Sequence, residues 1–383
     1  MTNLIQDSFK IDIKVLRFFG LYPSNNSSVL VKVKSILLYF LTYVLVSILM
    51  LMGILSDNDY DNIQMNFVVI YLCQTVGFAF KVLPLLFNGQ GIMNCVNYLQ
   101  QPSFQPFDLE EKKIADECVH VCHRNSAAYF YGILLCVVVW IVPNLQFKGH
   151  KLPLDCWLPY DVTTNLFYYC ATWIFLFLVV VYDSLTGAMI DPLIAGLAYH
   201  ATCQIKILKY NLENLGKSKS SEIYGVQFGD VSQHLRRCIQ RHINILNFVV
   251  EYEKCFSWPV FCQLASSTFG LCFNCIGFIL ARATSIENVI YIFCFLFMCF
   301  QIFFYCHYGT LLYEENVGLG TAIYMGAWYK CDIRIRKNLI FMMERSKIPM
   351  IITSGQVINV TLETFVSVLK TSYSLVAVFN NYE

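Results

Sequence analysis

Apolar stretches recur along the chain, each ended by a short polar segment. A helix needs about 20 mostly apolar residues to cross a hydrocarbon core of about 30 Å. Seven runs approach or exceed that length, at approximately 33–55, 67–87, 127–147, 165–183, 256–280, 288–312 and 356–379. Backbone polar groups in lipid must be satisfied within their own segment, and none of the runs shows the short alternation of a barrel strand, so all seven predict helices. The fourth pattern outruns a bilayer, continuing through Asp183, Asp191 and Pro192 to Ile205, Leu208, Leu212 and Leu215. After a polar break at 217–221, Val231, Leu235, Cys238, His242, Leu246 and Val249 recur at steps of three and four, the single apolar stripe of a helix. A third such piece, Ile335, Leu339, Met342 and Met343, stops before Pro349. These stripes predict helices that pack on one another and on neighbouring subunits outside the membrane, in preference to lying flat on a leaflet.

Composition sharpens the picture. Of 383 residues, 57% are hydrophobic and 14% charged, against about 45–50% apolar and about 25% charged in ordinary soluble domains, which excludes a soluble enzyme. The net charge of +1 gives no basic field for nucleic acid. The bulk partner is membrane lipid. Residues 1–28 scatter Asp7, Asp12 and Lys14 among apolar positions, so no cleavable leader is expected. Most of the 17 cysteines lie in apolar runs, among them Cys73, Cys136, Cys170, Cys262, Cys272, Cys275, Cys294 and Cys299, and read as reduced, small buried hydrophobes.

The placement of Lys and Arg sets the expected topology. Lys10, Lys14, Arg17, Lys32 and Lys34 belong to the N-terminal segment up to the start of the first run, and Lys112, Lys113 and Arg124 precede the third. Lys206, Lys209, Lys217, Lys219, Arg236, Arg237, Arg241 and Lys254 precede the fifth, and Lys330, Arg334, Arg336, Lys337, Arg345 and Lys347 the seventh. The opposite loops hold only Lys148, Lys151 and Arg282, while Lys81 and Lys370 fall within runs. The positive-inside rule then predicts an all-α membrane protein of seven transmembrane helices with a cytoplasmic N-terminus, an extracellular C-terminus and a cytoplasmic helical anchor domain. The expected division is 1–200 (N-terminal segment and spans one to four), 201–254 (anchor), 255–312 (spans five and six), 313–349 (anchor) and 350–383 (span seven). Sequons at Asn25 and Asn26 would lie in the cytoplasm, unglycosylated.

Catalytic signatures are missing: there is no HExxH, no GxSxG and no complete phosphate loop around Gly216-Lys217-Ser218. Cys118 and Cys122 share a helical face at i,i+4, a spacing open to two metal ligands, although an ordinary membrane-proximal helix reads the same way. No metal and no cofactor are expected. Span seven places Thr364, Ser367, Thr371 and Ser374 on one helical face that continues to Val378, Asn381 and Tyr382. Hydroxyls facing lipid gain nothing, so this stripe faces either other helices, at about 0.6–2 kcal/mol per hydrogen bond, or a water-lined pore. Glu363 and Lys370 are costly in a membrane and must pair or reach water. The half of the bundle far from the basic loops carries Ile70, Cys73, Gln74 and Gly77, then Ile133, Cys136 and Trp140, then Tyr168, Tyr169 and Thr172, then Tyr291 and Phe295. This apolar set with a few amide and hydroxyl groups suits a small-molecule pocket, as it would also suit a bundle core. It contains no ionisable carboxylate or amine, so its ligand is expected to be neutral and hydrophobic.

The stretch Leu362-Glu363-Thr364-Phe365-Val366-Ser367-Val368-Leu369-Lys370-Thr371-Ser372-Tyr373-Ser374 resembles the closing signature of the insect odorant receptor family. The Thr-Tyr and Gln-Phe ending of the related gustatory receptors is absent. The resemblance implies a four-subunit cation channel with one central pore lined by the seventh helices, where Val378 and Asn381 would form the outer constriction. It further implies an odorant pocket in the outer half of each subunit and an anchor of cytoplasmic helices between subunits. Lacking the co-receptor's long insertion after span four, the chain is similar to a tuning subunit. The implied partners are therefore the odorant receptor co-receptor and a small neutral volatile, with no obligatory G protein, at the plasma membrane of olfactory dendrites. A metabotropic seven-helix chemoreceptor would invert the topology, and a secondary transporter would be expected to show internal repeats, which the sequence lacks.

Overall fold

In the computed structural model, described over residues 7–22, 29–56, 62–87, 89–144, 152–162, 165–215, 228–280 and 286–380, each apolar run forms a helix. In chain order these are α1 Lys10–Phe18, α2 Val29–Leu55, α3 Asn62–Phe87, α4 Gly89–Leu99, α5 Leu109–Asn144 and α6 Leu166–Glu213. They continue with α7 Phe228–Leu280, α8 Ile286–Met325, α9 Ile333–Ser346 and α10 Leu362–Asn380. Six of them, α2, α3, α5, α6, α7 and α8, are long and apolar enough to span a bilayer. The expected seventh span is α10. A short antiparallel hairpin, β1 Thr353–Ser354 and β2 Ile358–Asn359, is the only strand pairing among the described residues.

Helix lengths account for the mass outside the membrane. At 1.5 Å per residue, the 48 residues of α6 and the 53 of α7 extend about 72 and about 80 Å, more than twice a hydrocarbon core. The continuation of the fourth run beyond its bilayer length is thus a single helix. Every residue from 186 to 205 is buried, which makes α6 the central pillar of the bundle. The stripe read from Val231 to Val249 belongs to the same helix as the fifth span, and the sixth span runs on to Met325. Helices therefore pass without interruption through the expected divisions at 200, 254 and 312. The stripe of α9 is buried at Ile335, Leu339 and Met342, as the periodicity requires.

Two helices escape the periodicity argument. The first, α1, is a polar-looking segment whose Ile13 and Leu16, with Phe9 before them, pack into the main core. The second, α4, follows Pro84 and Phe87 and buries Ile92, Cys95, Val96 and Leu99. Span seven begins later than its hydropathy suggested. Residues 353–359 form the hairpin, whose turn holds Gly355 and Gln356 in the left-handed region at φ 61° and 60°. The backbone N–H and hydroxyl of Thr353 both donate to Glu253 of α7 at 2.7 Å, and the Leu362 N–H donates to the Thr310 hydroxyl of α8 at 2.9 Å. Those bonds fix the entry of α10.

Two buried ion pairs join the helices. Arg241 of α7 donates to both Glu111 Oε2 (3.2 Å) and the carbonyls of Ser103 and Gln105, while Asn211 of α6 donates to Glu111 Oε1 at 2.8 Å. This joint ties three helices at the basic end. Deeper, Lys81 of α3 lies 2.6 Å from Asp191 of α6, with both side chains fully buried. Gln301 of α8 donates to Asp191 Oδ2 at 2.6 Å, and Tyr305 donates to Oδ1. A buried ion pair survives only when its remaining hydrogen bonds are met, and here neighbouring helices supply them.

Candidate ligand pocket and conduction face

The twelve residues expected to line a pocket separate into two neighbourhoods. In the first, α3 turns Ile70 and Cys73 toward α7 and α8. Ile70 is in the main core, and Cys73 lies beside Gly270 of α7, which itself touches Met298 of α8. Ile133 and Cys136 of α5 join this core, Cys136 near Cys294 of α8, and Phe295 packs against its edge. Tyr291 is buried there, stacked on Phe67 at 4.4 Å and accepting a hydrogen bond from Asn66 at 3.3 Å. In the second neighbourhood, Trp140 of α5 packs on a smaller cluster of Val46, Met50, Val68, Leu72, Leu154 and Leu176. Tyr169 and Thr172 are buried on the first turns of α6, where Thr172 shares a 2.8 Å hydrogen bond with Tyr160 and donates to the Tyr168 carbonyl. Tyr168 is exposed and rests against Tyr160.

Gly77 is a packing residue. A Cβ there would collide with Ser266 and Gln263 of α7, so its role is the close approach of α3 to α7. Gln74 is the opposite case. Its Oε1 is buried and has no hydrogen-bond partner among the described residues, an acceptor whose burial is costly unless something donates to it.

The sequence reading left out the polar residues next to these two sets. Tyr71, packed on the smaller cluster, donates to Asp183 of α6 at 3.2 Å. Tyr43 of α2 donates to Thr186 at 2.7 Å, and Thr186 in turn donates to the Tyr182 carbonyl. An acid therefore does border the region. The available signal was Asp183 itself, a carboxylate at the end of an apolar run.

On α10 the two faces differ sharply. Phe365, Val368 and Leu369 pack on the core, and Ser372 is buried and donates to the Thr268 carbonyl of α7. Ser367, Lys370, Thr371 and Ser374 are exposed, as is Glu363, and Thr364 is half-buried with its hydroxyl donating to the Asn359 carbonyl at 2.5 Å. Interhelical hydrogen bonding within the chain therefore does not account for the Ser367, Thr371 and Ser374 stripe. Among the described residues, Thr371 bonds only back to its own helix, at the Ser367 carbonyl. Val378 is a residue of α10, whereas Asn381 and Tyr382 lie outside the described residues, as do the sequons at Asn25 and Asn26.

With this geometry in place, comparison with known proteins is informative. A family model described as 7tm Odorant receptor matches residues 61–373, more than three quarters of the chain. Odorant receptor Or1 of Anopheles gambiae is 20% identical over 99% of this chain and 96% of its own length. Odorant receptor Or2 of the same mosquito is 33% identical over 46% of this chain and 48% of its own. Odorant receptor 85b of Drosophila melanogaster is 25% identical over 79% and 78%. Among solved structures, the insect olfactory receptor OR5 from Machilis hrabei superposes with a TM-score of 0.83 at 16% identity, covering 98% of this chain and 97% of that one. The same receptor in complex with eugenol gives 0.82, over 99% of both chains. The seven apolar helices, the extended α6 and the closing signature on α10 thus have a common source: this chain is a multi-pass receptor, not an enzyme, and belongs to the insect odorant receptor family.

Proposed function

We propose that this chain is the odorant-binding subunit of a ligand-gated, non-selective cation channel that detects neutral hydrophobic volatiles together with the odorant receptor co-receptor. The observation that carries this reading is the exposed face of α10. A membrane helix that turns Ser367, Lys370, Thr371 and Ser374 away from its own bundle is unfavourable against lipid and favourable against water or other subunits. A central pore of several such helices supplies both, and co-receptor helices would dilute the positive charge of Lys370. The volatile occupies the outer half of the bundle, among Ile70, Cys73, Ile133, Cys136, Tyr291 and Phe295 or beside Trp140, Tyr169 and Thr172. The related OR5 was solved with eugenol, which supports a small organic ligand in this fold. Gln74 Oε1 favours a ligand that donates a hydrogen bond. Binding acts by greater affinity for the open arrangement, so it shifts a population and needs no G protein. The basic loops face the cytoplasm of an olfactory dendrite, where the cytoplasmic ends of α6, α7 and α8, with α9, form the anchor.

Whole-cell recording, with the chain expressed alone and with a co-receptor across a volatile panel, tests the reading. Odour-evoked cation current that persists without nucleotide is expected. Current that requires a G protein would establish the metabotropic reading, and accumulation of labelled ligand without current would establish transport. Ser374→Cys and Val378→Cys are expected to become blockable by thiol reagents applied from outside, while complete insensitivity would make α10 purely structural. Trp140→Ala and Tyr291→Ala are expected to weaken odorant potency at unchanged surface expression.

A further inference from the structure

Near the point where α1 crosses the bundle, the two cysteines noted at i,i+4 acquire a third partner. Cys118 and Cys122 of α5 face His200 of α6, and all three side chains are buried. One ligand atom from each, the two Sγ atoms and an imidazole nitrogen, lie within 4.8 Å of one another. The separation of Cys118 Sγ from His200 Nδ1 is 3.5 Å. Zinc–sulfur bonds of about 2.3 Å and zinc–nitrogen bonds of about 2.0–2.1 Å, spread at a tetrahedral angle, put sulfur and nitrogen about 3.5–3.6 Å apart. That edge is already built.

Two further features separate this cluster from a chance meeting of buried thiols. His200 Nε2 lies 3.0 Å from the Ser8 hydroxyl. When Nδ1 is the ligand, Nε2 carries the proton and donates it to Ser8, the outer hydrogen bond that orients metal-bound imidazoles. A further thiol is near: Cys203, three residues beyond His200 on α6, is buried and interacts with Cys118, although it lies outside the three-residue cluster. The ring of Phe9 covers His200 at 5.6 Å between centroids and also closes over Gly196. The cluster is thus dry, lined by soft ligands and capped by the N-terminal segment.

We propose that Cys118, Cys122 and His200, with Cys203 turned in as fourth ligand when the metal binds, form a structural site for a soft, thiolate-preferring cation, zinc in the first instance. The site revises the expectation of no metal and is independent of the channel reading. Thiolates select zinc over magnesium or calcium, and four protein ligands with no open position make a closed structural site. Each coordinated thiol releases its proton to solvent as the metal binds, and the imidazole coordinates in its neutral form. The metal would cross-link α5 to α6 directly beneath α1, so that docking of the N-terminal segment and metal retention become coupled through Ser8 and Phe9.

The test is the metal content of the full chain, purified in detergent from insect cells without chelator, by inductively coupled plasma mass spectrometry. About one zinc per chain is expected, resistant to a brief EDTA wash. Cys118→Ser combined with Cys122→Ser is expected to reduce it to background, while Cys272→Ala with Cys275→Ala, an unrelated pair on α7, leaves it unchanged. Cobalt substitution is expected to show thiolate-to-metal charge transfer and the intense visible bands of a tetrahedral centre. Should the double serine variant aggregate, His200→Gln alone must still weaken zinc in competition with a chromophoric chelator. The proposal is overturned if wild-type chain carries no zinc both as isolated and after equilibration with zinc chloride and desalting. Equal zinc in the wild type and the Cys118/Cys122 variant overturns it as well.

Discussion

Asp191 is buried and accepts from three side chains, and the consequence of losing it can be worked out from those partners. Its carboxylate receives Lys81 at 2.6 Å on one oxygen, with Tyr305 on the same atom and Gln301 at 2.6 Å on the other. Asp191→Ala leaves a fully buried ammonium whose one remaining acceptor is the Gly187 carbonyl at 3.4 Å, a loss of about 3–5 kcal/mol for an uncompensated charge. Lys81→Met removes the ammonium but leaves Asp191 two neutral donors, so the expected cost is smaller, about 1–3 kcal/mol. Combining Lys81→Met with Asp191→Asn removes both charges and keeps an acceptor for Tyr305 or Gln301. That double variant is expected within about 1 kcal/mol of wild type, whereas independent losses from the two sites would sum to about 4–8 kcal/mol. The assay is a thermal ramp of a fluorescent fusion in detergent, read as the surviving monodisperse peak. At about 2 °C per kcal/mol for a chain of this size, Asp191→Ala should lose roughly 6–10 °C and the double variant only about 2 °C. Additive losses, with the double variant at or below Asp191→Ala, would refute the claim that the pair is held by mutual compensation.

Asp12 of α1 is buried, and burial raises its carboxyl from 3.8 to about 7 against the opposing hydrogen bond donated by Ser126 at 2.5 Å. Because the folded state keeps a proton that the unfolded state has released, stability should fall as pH rises from about 4 to about 7 and level off above. Asp12→Asn should flatten that slope in thermal ramps taken across the window, and an unchanged slope would remove Asp12 as its source. A Cβ at Gly309 of α8 would fall on the Val360 carbonyl oxygen at the entry to α10, so Gly309→Ala should cost about 1–3 kcal/mol and reduce odour-evoked current per surface channel. Gly132→Ala, where a Cβ meets nothing within 4 Å, is the matched control and should stabilise by up to about 1 kcal/mol in the same ramp.

What the chain discloses about itself follows the range of the forces involved. Span identity is a sum over about 20 side chains and survives any single exception, which is why all seven helices could be read directly. Helix ends depend on individual bonds. Hydropathy alone had no means of separating the hairpin at 353–359 from the apolar run it precedes, because the separation rests on Glu253 and Thr310, a hundred and some fifty residues away. The same distance hid α1, whose core contribution comes from Phe9, Ile13 and Leu16 within a segment that hydropathy reads as polar.

Site chemistry was legible only where its residues share one helix. The hydroxyl stripe of α10 is a property of i,i+3 and i,i+4 spacing, and the structure adds only that Ser367, Thr371 and Ser374 face away from the bundle. Cys118 and Cys122 were visible for the same reason, but the residue that makes them chemically interesting, His200, is a tertiary neighbour on another helix. Lys81 was apparent as a charge within an apolar run and Asp191 as an acid in the continuation of the fourth, but nothing in the sequence joined the two. Choosing Asp191 over Asp183 for Lys81 needed the register of α3 against α6, where Gly187 of α6 admits the ring of Phe78 of α3. A glycine that binds nothing therefore helps decide which acid neutralises the lysine and which, Asp183, is left to accept from Tyr71 beside the pocket.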